Sequence, residues 1–313
     1  MSGAARRLRF GVLAAPPADP AAWRRQARRA EELGYSALLM PDHLDGQWGP
    51  LTSLAVAAEQ TSRIALGTLM LAVDLRNPVV LAKELLTLAQ LAPGRLEIGL
   101  GAGWFGTDYA AAGLALGAPG SRIDRVEEAV QILQSLWADH RLTFAGRHFA
   151  VTDALGEPRP PEPDGVRWVL GGGGQRVLAV AARHADIVSV SAQMTSGKDS
   201  SFGASATAAE FGRRIAWLRR CAGPRMAGLE VQCLVFAAAV TADRDRYAAR
   251  VLSPMFGLSP AEALASPLAL AGPAEQIGDQ ILAHREQFGI SYWVVRSTLL
   301  EQFAPVVARL TGT

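Results

Sequence analysis

The sequence contains little of what several common classes of protein depend on. Only two of its 313 residues are cysteine, Cys221 and Cys233, and their spacing matches no metal-binding pattern. We therefore expect two reduced thiols, as in a cytoplasmic protein, and no metal site. Only Lys83 and Lys198 are lysine, and the formal net charge is +2. Because basic residues are dispersed among acidic ones, neither a nucleic-acid nor a membrane-surface partner is expected.

Long apolar runs and several catalytic motifs are also missing. No apolar run reaches the roughly 18 residues that a membrane span requires, and no continuous apolar segment precedes Arg6 and Arg7. We therefore expect neither a membrane helix nor a secretory signal peptide. The motifs H-E-x-x-H and G-x-S-x-G are absent, which leaves zinc and serine-hydrolase chemistry without support. The aromatic residues, 7% of the chain, form no stacking platform for single-stranded nucleic acid.

The most regular feature of the chain is an alternation of short apolar strands with amphipathic helices. Half of the residues are hydrophobic, which is enough to fill a large core. We predict eight strands, at residues 8–13, 36–40, 64–71, 96–100, 166–170, 187–190, 229–240 and 291–295. Strict βα alternation favours a parallel sheet, and eight such units predict an α/β protein with a closed (β/α)8 TIM barrel. One domain over residues 1–313 is expected, with insertions after strands 4 and 7.

Capping residues and prolines mark where several helices begin. Asp19-Pro20 and Asn77-Pro78 each place an N-cap residue before a proline at the first helical position. Residues 122–137 have the apolar spacing of an amphipathic helix, and residues 144–149 predict a small hairpin. The segment 105–120 is too long for an ordinary βα loop.

The fourth predicted strand ends in a glycine-rich segment. Three glycines at alternate positions, the last of them Gly103, precede Trp104. Glycine has no Cβ, so a flat ligand could approach the backbone, and Trp104 could wall that space. The simpler alternative is a tight turn with one core tryptophan. Parallel α/β folds keep their ligands at the C-terminal ends of the strands, so this segment is a candidate edge of a binding site.

Two polar residues, Asp42 and His43, follow the second predicted strand at the same end of the barrel, and Trp48 lies shortly after them. A histidine can donate or accept a proton near neutral pH, and Asp42 could orient it or bind a ligand. We therefore take Asp42, His43 and Trp48 as candidate catalytic residues. The alternative is that Asp42 caps the loop and His43 is an ordinary solvated residue.

A run of glycines joins the fifth predicted strand to a helix. Successive N–H groups of four residues could point at one ligand: Gly171, Gly172, Gly173 and Gly174. The helix N-terminus at Gln175 and the charge of Arg176 would favour an anion such as a phosphate. The segment is neither a Walker A sequence nor a G-x-G-x-x-G fingerprint, so it specifies no nucleotide triphosphate or NAD. A flexible turn is the alternative.

Together these segments resemble the bacterial luciferase-like monooxygenase superfamily, in particular the branch that depends on the deazaflavin coenzyme F420. The resemblance covers almost the whole chain. It rests on the order and spacing of motifs at residues 39–43, 64–68, 76–83, 93–104, 122–137, 144–146 and 171–186. It implies a (β/α)8 barrel with a flavin or deazaflavin lying across the C-terminal ends of the strands.

The resemblance also implies roles for individual residues. Asp42 and His43 would lie near the ring, with His43 at the position of a proton-transfer residue and Trp48 as a nearby aromatic. A cis non-proline peptide behind the ring would fall at Leu69-Met70. The ring or the phosphate-bearing side chain would contact Gly103, Trp104 and Thr107, and the phosphate would bind at Gly171, Gly172, Gly173, Gly174, Gln175 and Arg176.

Two departures from relatives in this superfamily bear on the substrate. The deazaflavin glucose-6-phosphate dehydrogenases have a glutamate, their proposed second acid/base group, where Trp104 stands. Their substrate-phosphate lysines and arginine cannot be matched to this chain, whose lysines are Lys83 and Lys198. A sugar phosphate is therefore not expected as substrate, and a single proton-carrying residue or plain hydride transfer is.

The resemblance leaves two enzyme activities open. The first is hydride transfer between coenzyme F420 and a small organic substrate, with His43 handling the accompanying proton. The second is an FMN-dependent flavin monooxygenase that uses O2 and a partner flavin reductase. A third hypothesis, a barrel that has lost its cofactor and serves as an assembly partner, is weakened by Asp42, His43 and the glycines. Relatives commonly form a homodimer, and substrate choice should depend on residues 105–120 and 191–207.

Overall fold

The computed structural model describes residues 6–15, 17–193 and 202–313 of the chain. Its strands are β1 (Arg9–Leu13), β2 (Ala37–Met40), β3 (Ala65–Thr68), β4 (Leu71–Ala72), β5 (Leu96–Gly101), β6 (Arg141–Ala145), β7 (Ala150–Leu155), β8 (Val166–Gly172), β9 (Ile187–Val190), β10 (Glu230–Leu234), β11 (Ala237–Val240), β12 (Ala269–Gly272) and β13 (Ile290–Arg296). Its helices are α1 (Pro20–Glu32), α2 (Pro50–Ala58), α3 (Pro78–Leu91), α4 (Gly106–Ala111), α5 (Pro119–Ala138), α6 (Gln175–His184), α7 (Ala208–Ala222), α8 (Arg244–Tyr247), α9 (Ser253–Phe256), α10 (Pro260–Ala265), α11 (Ala274–Phe288) and α12 (Leu300–Leu310).

Eight parallel strands close into a barrel. Their order around the barrel is β1, β2, β3, β5, β8, β9, β10 and β13, and β13 pairs with β1 to complete the ring. The predicted (β/α)8 TIM barrel is therefore confirmed. The third predicted strand is interrupted by a cis peptide bond between Leu69 and Met70, where the resemblance placed one, and β4 continues along β5 after it.

The inside of the barrel is closed at its N-terminal end by charged and aromatic side chains. The guanidinium of Arg9 lies 3.6 Å from the centroid of the Tyr292 ring and donates to Glu97 at 2.6 Å and to Glu230 at 2.8 Å. Arg167 donates to the same Glu230 at 2.7 Å. Most other inward positions are apolar and form one cluster: Leu13, Ala37, Leu39, Leu69, Val169, Ile187, Tyr292 and Val294. Because this end is filled, a ligand can enter only at the opposite end of the barrel.

Helix starts follow the predicted capping pattern. The Asp19 carboxylate accepts a hydrogen bond from the Ala22 N–H at 2.7 Å, and the Asn77 side chain accepts one from the Val79 N–H at 2.9 Å. Both caps satisfy N–H groups that have no partner within the helix. Among the described helices, none is both long and apolar enough to cross a bilayer.

The prediction of one strand over residues 229–240 is wrong. The chain leaves the barrel after β10, because the Val235 N–H still bonds to Val294 whereas the Phe236 N–H bonds to Leu268 at 2.9 Å. β11 then pairs with β12, which the sequence reasoning missed, in a separate two-stranded parallel sheet. An apolar run shows that a strand is buried but cannot show which sheet it joins.

The segment 105–120 forms an additional short helix. α4 occupies its first half, and α5 already begins at Pro119. The predicted hairpin around residues 144–149 is confirmed as the antiparallel pair β6 and β7, after α5. Of the segment 191–207, residues 194–201 lie outside the described residues, as does Lys198.

Candidate active site

A cavity of about 610 Å³ opens at the C-terminal end of the barrel. Its wall includes residues that follow seven of the eight barrel strands, and Arg296, the last residue of the eighth strand, β13. It brings together ten of the site residues expected from the sequence: Asp42, His43, Leu69, Met70, Gly103, Trp104, Gly171, Gly172, Gly173 and Gly174. Four other expected residues are not part of its wall: Trp48, Thr107, Gln175 and Arg176.

His43 lies in the cavity wall with a buried carboxylate beside it. Its Nδ1 lies 2.7 Å from one carboxylate oxygen of Asp108, and the other oxygen accepts the Leu44 N–H at 3.0 Å. Asp108 is only 6% exposed. An ionised carboxylate can only accept hydrogen bonds, so Nδ1 carries the proton in this pair. Nε2 is then the nitrogen that can exchange a proton with a ligand.

Sequence reasoning missed Asp108. The residue lies in α4, 65 positions from His43, within the segment 105–120, for which the sequence predicts an insertion but no helix. No local spacing connects the two residues, because His43 lies in the loop after β2 and Asp108 lies in a helix after β5. They come together because β2 and β5 both pair with β3.

Two aromatic side chains pack against the His43 ring. The Trp104 ring centroid lies 6.1 Å from that of His43 and the Phe105 centroid 5.5 Å, both in edge-on orientation. Trp104 and Phe105 also contact each other at 5.2 Å. These rings hold the imidazole in one orientation and cover part of it from water. Trp104 lies in the cavity wall, and its contact with a ligand stays a prediction.

The expectation that Asp42 orients His43 is wrong. Both carboxylate oxygens of Asp42 accept hydrogen bonds from Arg76, one of them at 2.8 Å, and one oxygen also accepts the Ala72 N–H at 2.8 Å. Asp42 is 7% exposed. Its carboxylate is already fully engaged, so it holds β4 and Arg76 in place and is not free to exchange a proton with a ligand.

Two of the glycines before Trp104 allow strands to pack closely. A Cβ at Gly99 would lie 2.1 Å from the Thr68 carbonyl oxygen, and one at Gly101 would lie 2.9 Å from the Met70 sulfur. Gly99 is therefore required by the close approach of the segment after β3. Gly101 also lies in the cavity wall, so the approach of a ligand to it stays a prediction. Both glycines let the segment after β3 approach β5.

Gly103 stands in a turn that is tied down by polar side chains. Its φ is +64°, and a Cβ there would collide with the Tyr109 hydroxyl. That hydroxyl donates to Asp74 at 2.9 Å, and burial, with the nearby Asp74 charge, raises the pKa of Tyr109 to about 12. Arg125 donates two bonds to Asp74, at 2.6 and 2.7 Å, and Arg122 donates to the Gly103 carbonyl. The turn that carries Trp104 is therefore held rigidly.

The glycine run at residues 171–174 forms the wall opposite β1. A Cβ at Gly171 would lie 1.9 Å from the Ser189 carbonyl oxygen, and one at Gly173 would lie 2.4 Å from the Gln193 nitrogen. Gly174 has open space around it and is the N-cap of α6, where no side chain caps the helix. The first N–H groups of α6 are thus left for an anion, as the phosphate prediction requires.

Arg176 does not supply the positive charge expected at this wall. Its side chain is exposed and forms an ion pair with Asp124 on α5, and Gln175 is exposed beside it. A different arginine, Arg214 of α7, is buried behind the glycine run. It donates to the Gly173 carbonyl at 3.0 Å and to the Ser205 carbonyl at 2.7 Å. Arg214 therefore fixes the glycine run from behind.

Trp48 and Thr107 also lie away from the cavity wall. Trp48 is half-buried and packs against the hydrophobic core outside the barrel. Thr107 is exposed on α4, one residue before Asp108. Because neighbouring residues of a helix point in different directions, Asp108 lies in the cavity wall and Thr107 does not.

The fold and this site define a class of protein: (β/α)8-barrel enzymes whose cavity lies at the C-terminal ends of the strands. The family profile described as luciferase-like monooxygenase matches residues 7–292. The chain belongs to this family, and the resemblance found in the sequence is confirmed.

Curated relatives are similar in sequence to about half of the chain. An F420-dependent glucose-6-phosphate dehydrogenase of Intrasporangium calvum is 35% identical over 174 residues, which are 50% of this chain and 50% of the relative. The enzyme of the same description from Kineococcus radiotolerans is 36% identical over 168 residues, 51% of this chain and 49% of the relative. The chain thus aligns with about half the length of these relatives.

Solved structures share the fold over nearly the whole chain. The coenzyme F420-dependent tetrahydromethanopterin reductase of Methanopyrus kandleri has a TM-score of 0.77 at 17% identity and covers 98% of this chain and 99% of its own. An F420-dependent secondary alcohol dehydrogenase in complex with an F420-acetone adduct has a TM-score of 0.76 at 20% identity, with coverage of 97% and 99%. A monooxygenase from Streptomyces bottropensis has a TM-score of 0.73 at 20% identity, with coverage of 97% of both chains. At these identities the likeness is one of fold.

Proposed function

We propose that the protein is an F420-dependent oxidoreductase that transfers a hydride between the deazaflavin and a small organic substrate. The observation that carries the proposal is the pair of His43 and Asp108 in one wall of a cavity whose opposite wall is the glycine run 171–174. The curated relatives that match half of the chain are F420-dependent dehydrogenases, which favours F420 over FMN.

The residues of the cavity fit such a cofactor. A phosphate can bind the uncapped N-terminus of α6, where Gly174 leaves open space. A flat ring can lie against the segment of Leu69 and Met70 in the cavity wall, with Trp104 at its edge. We therefore propose that Leu69, Met70, Gly103, Trp104 and the glycine run contact the cofactor.

When bound, F420 supplies two-electron hydride chemistry, and the protein supplies orientation, exclusion of water and the proton. For an alcohol substrate, Nε2 of His43 would accept the hydroxyl proton as the hydride leaves carbon. Asp108 then stabilises the resulting imidazolium through Nδ1–H. In the reverse direction, Nε2–H would donate the proton to a carbonyl oxygen. His43 is thus proposed as the catalytic residue, and Asp108 as the residue that positions it.

Binding of the two cofactors tests the proposal directly. The purified protein is titrated with F420 and, separately, with FMN, and binding is followed by the fluorescence of each cofactor. We expect F420 to bind at micromolar concentration and at least tenfold more tightly than FMN. Micromolar binding of FMN without binding of F420 would contradict the proposal. Substrate-dependent O2 uptake with reduced FMN would then favour the flavin monooxygenase and its partner reductase.

Two further properties belong to the proposal. The free cysteines Cys221 and Cys233 favour a cytoplasmic location, where thiols stay reduced. A homodimer is expected by analogy with relatives in the superfamily, and light scattering on the purified protein would measure it.

A further inference from the structure

Arg296 occupies a special position at the mouth of the barrel. It is the last residue of β13 and pairs with Leu13 of β1. Two strand positions before it, Val294 points into the barrel, as Tyr292 does below. The backbone of Arg296 is still extended, with φ −76° and ψ 146°, so alternation directs its side chain to the same inner face. Arg296 therefore belongs to the cavity wall through a rigid strand.

The guanidinium of Arg296 has no hydrogen-bond or ion-pair partner among residues 6–15, 17–193 and 202–313. The other arginine of the cavity wall, Arg122, donates to backbone carbonyls of the Gly103 turn. Of the wall carboxylates, Asp42 and Asp108 are bonded to Arg76 and His43, and Asp45 forms no ion pair with Arg296. Arg296 is left as a cation that can meet a ligand.

The barrel order separates this cation from the glycine run. β2, which leads to His43, and β13, which ends at Arg296, are the two neighbours of β1. In a ring of eight strands, β8 and its glycines stand opposite β1. His43 and Arg296 therefore flank one side of the mouth, and the phosphate-binding side faces them. A ligand held by Arg296 would present its other end to His43.

The geometry points to a substrate that carries a carboxylate on an apolar body. A guanidinium matches the two oxygens of a carboxylate, and a single cation suits that charge better than a phosphate dianion. The wall next to Arg296 is apolar, with Leu13, Leu234 and Phe236. This inference rests on the proposed function, since it places the group that gains or loses the hydride beside His43. The Ser297 hydroxyl, which accepts the Ala15 N–H at 2.9 Å, fixes the end of β13.

Matched acids and amides test the inference without knowledge of the substrate. Benzoate with benzamide, phenylacetate with phenylacetamide, and cinnamate with cinnamamide are titrated into the protein, with tryptophan fluorescence and calorimetry as readouts. We expect each acid that binds to bind about tenfold more tightly than its amide. Arg296→Met should abolish this preference, and Arg25→Met, an exposed arginine of α1, should keep it. Both variants should unfold at the wild-type urea concentration.

Three outcomes would overturn the inference: no acid binds, acids and amides bind equally, or the preference survives in Arg296→Met. F420 also carries carboxylates, so its dissociation constant is measured for the same variants. We expect it to change less than twofold. A tenfold loss of F420 affinity in Arg296→Met, with no acid preference, would assign the guanidinium to the cofactor and overturn the substrate inference. An acid preference without any F420 binding would instead refute the proposed function and leave the anion site standing.

Discussion

At the scale of single residues, the site shows how two neighbours in sequence acquire different tasks. Asp42 and His43 are consecutive residues after β2, and their side chains contact different partners. Asp42 turns towards Arg76, and His43 turns towards Asp108. Adjacency in sequence suggested that Asp42 orients His43, but the carboxylate that contacts His43 is that of Asp108 in α4.

Asp108→Asn is expected to lower kcat by about 100-fold, with little change in KM or in F420 affinity. The amide cannot stabilise the charged imidazolium, and it can hold the ring in the wrong tautomer. Steady-state kinetics at saturating F420 measure the effect. Asp245→Asn, on exposed α8, serves as the control and should match the wild type. A fall confined to KM, or an unaffected kcat, would speak against a role for Asp108 in positioning His43.

Asp42→Asn is expected to lower the free energy of unfolding by about 3 kcal/mol, because it leaves Arg76 without its buried counter-charge. Urea unfolding measures the loss. Combining it with Arg76→Met should restore part of the stability, since the two side chains are coupled. If the double variant lost as much free energy of unfolding as the two single variants added together, no such coupling would exist.

At the scale of elements, the glycine run is subject to two requirements, close packing of strands and the proposed binding of a phosphate. The sequence alone cannot show which glycine meets which requirement. Gly171 is needed because β8 packs closely against β9, Gly173 because the chain after β8 packs against the segment after β9, and only Gly174 has space for a side chain. The helix behind the run begins without a cap, which leaves its N–H groups for a ligand. Most of this glycine motif therefore serves packing, and only Gly174 is left for the proposed binding of a phosphate.

Gly174→Asp is expected to raise the stability of the protein and to weaken the binding of F420. The backbone there has φ −100° and ψ 156°, which suits an N-cap, so the new carboxylate should stabilise α6 by about 0.5 kcal/mol. The carboxylate would also occupy the proposed phosphate site and repel the phosphate, so the F420 dissociation constant should rise at least tenfold. Thermal unfolding and fluorescence titration measure the two effects.

Gly174→Ala is the matched control for that variant and should change F420 affinity less than threefold. Gly171→Ala should instead destabilise the protein, because its Cβ collides with the Ser189 carbonyl. If Gly174→Asp left F420 affinity untouched, the phosphate would have to bind elsewhere.

At the scale of the whole molecule, one buried histidine makes stability depend on pH. His284 of α11 is 6% exposed and stacks on Phe288, and burial lowers its pKa to about 4 from an ordinary value of 6.5. The unfolded chain therefore binds the proton first as pH falls. The stability from neutral His284 is present above about pH 6.5 and is lost progressively as pH falls towards 4.

His284→Phe is expected to remove this part of the pH dependence. Between pH 7 and pH 4 the free energy of unfolding of the wild type should fall by about 3 kcal/mol more than that of the variant. The reason is the difference between the pKa of His284 in the unfolded chain and in the folded chain. Urea unfolding at several pH values measures both slopes, and the difference between them isolates His284 from the acidic residues. Parallel slopes for the two proteins would contradict the burial of a neutral histidine.

The sequence by itself determined the barrel, the caps of α1 and α3, and the end of the barrel at which both His43 and the glycine run lie. Each of these follows from local patterns, because apolar periodicity and capping act over a few residues. The tertiary structure alone decided that Asp108 bonds to His43, that Arg176 pairs with Asp124, and that His43 and Arg296 lie at the ends of the two strands that flank β1. These depend on which strands become neighbours when the barrel closes, and no pattern within a single segment of the chain records that.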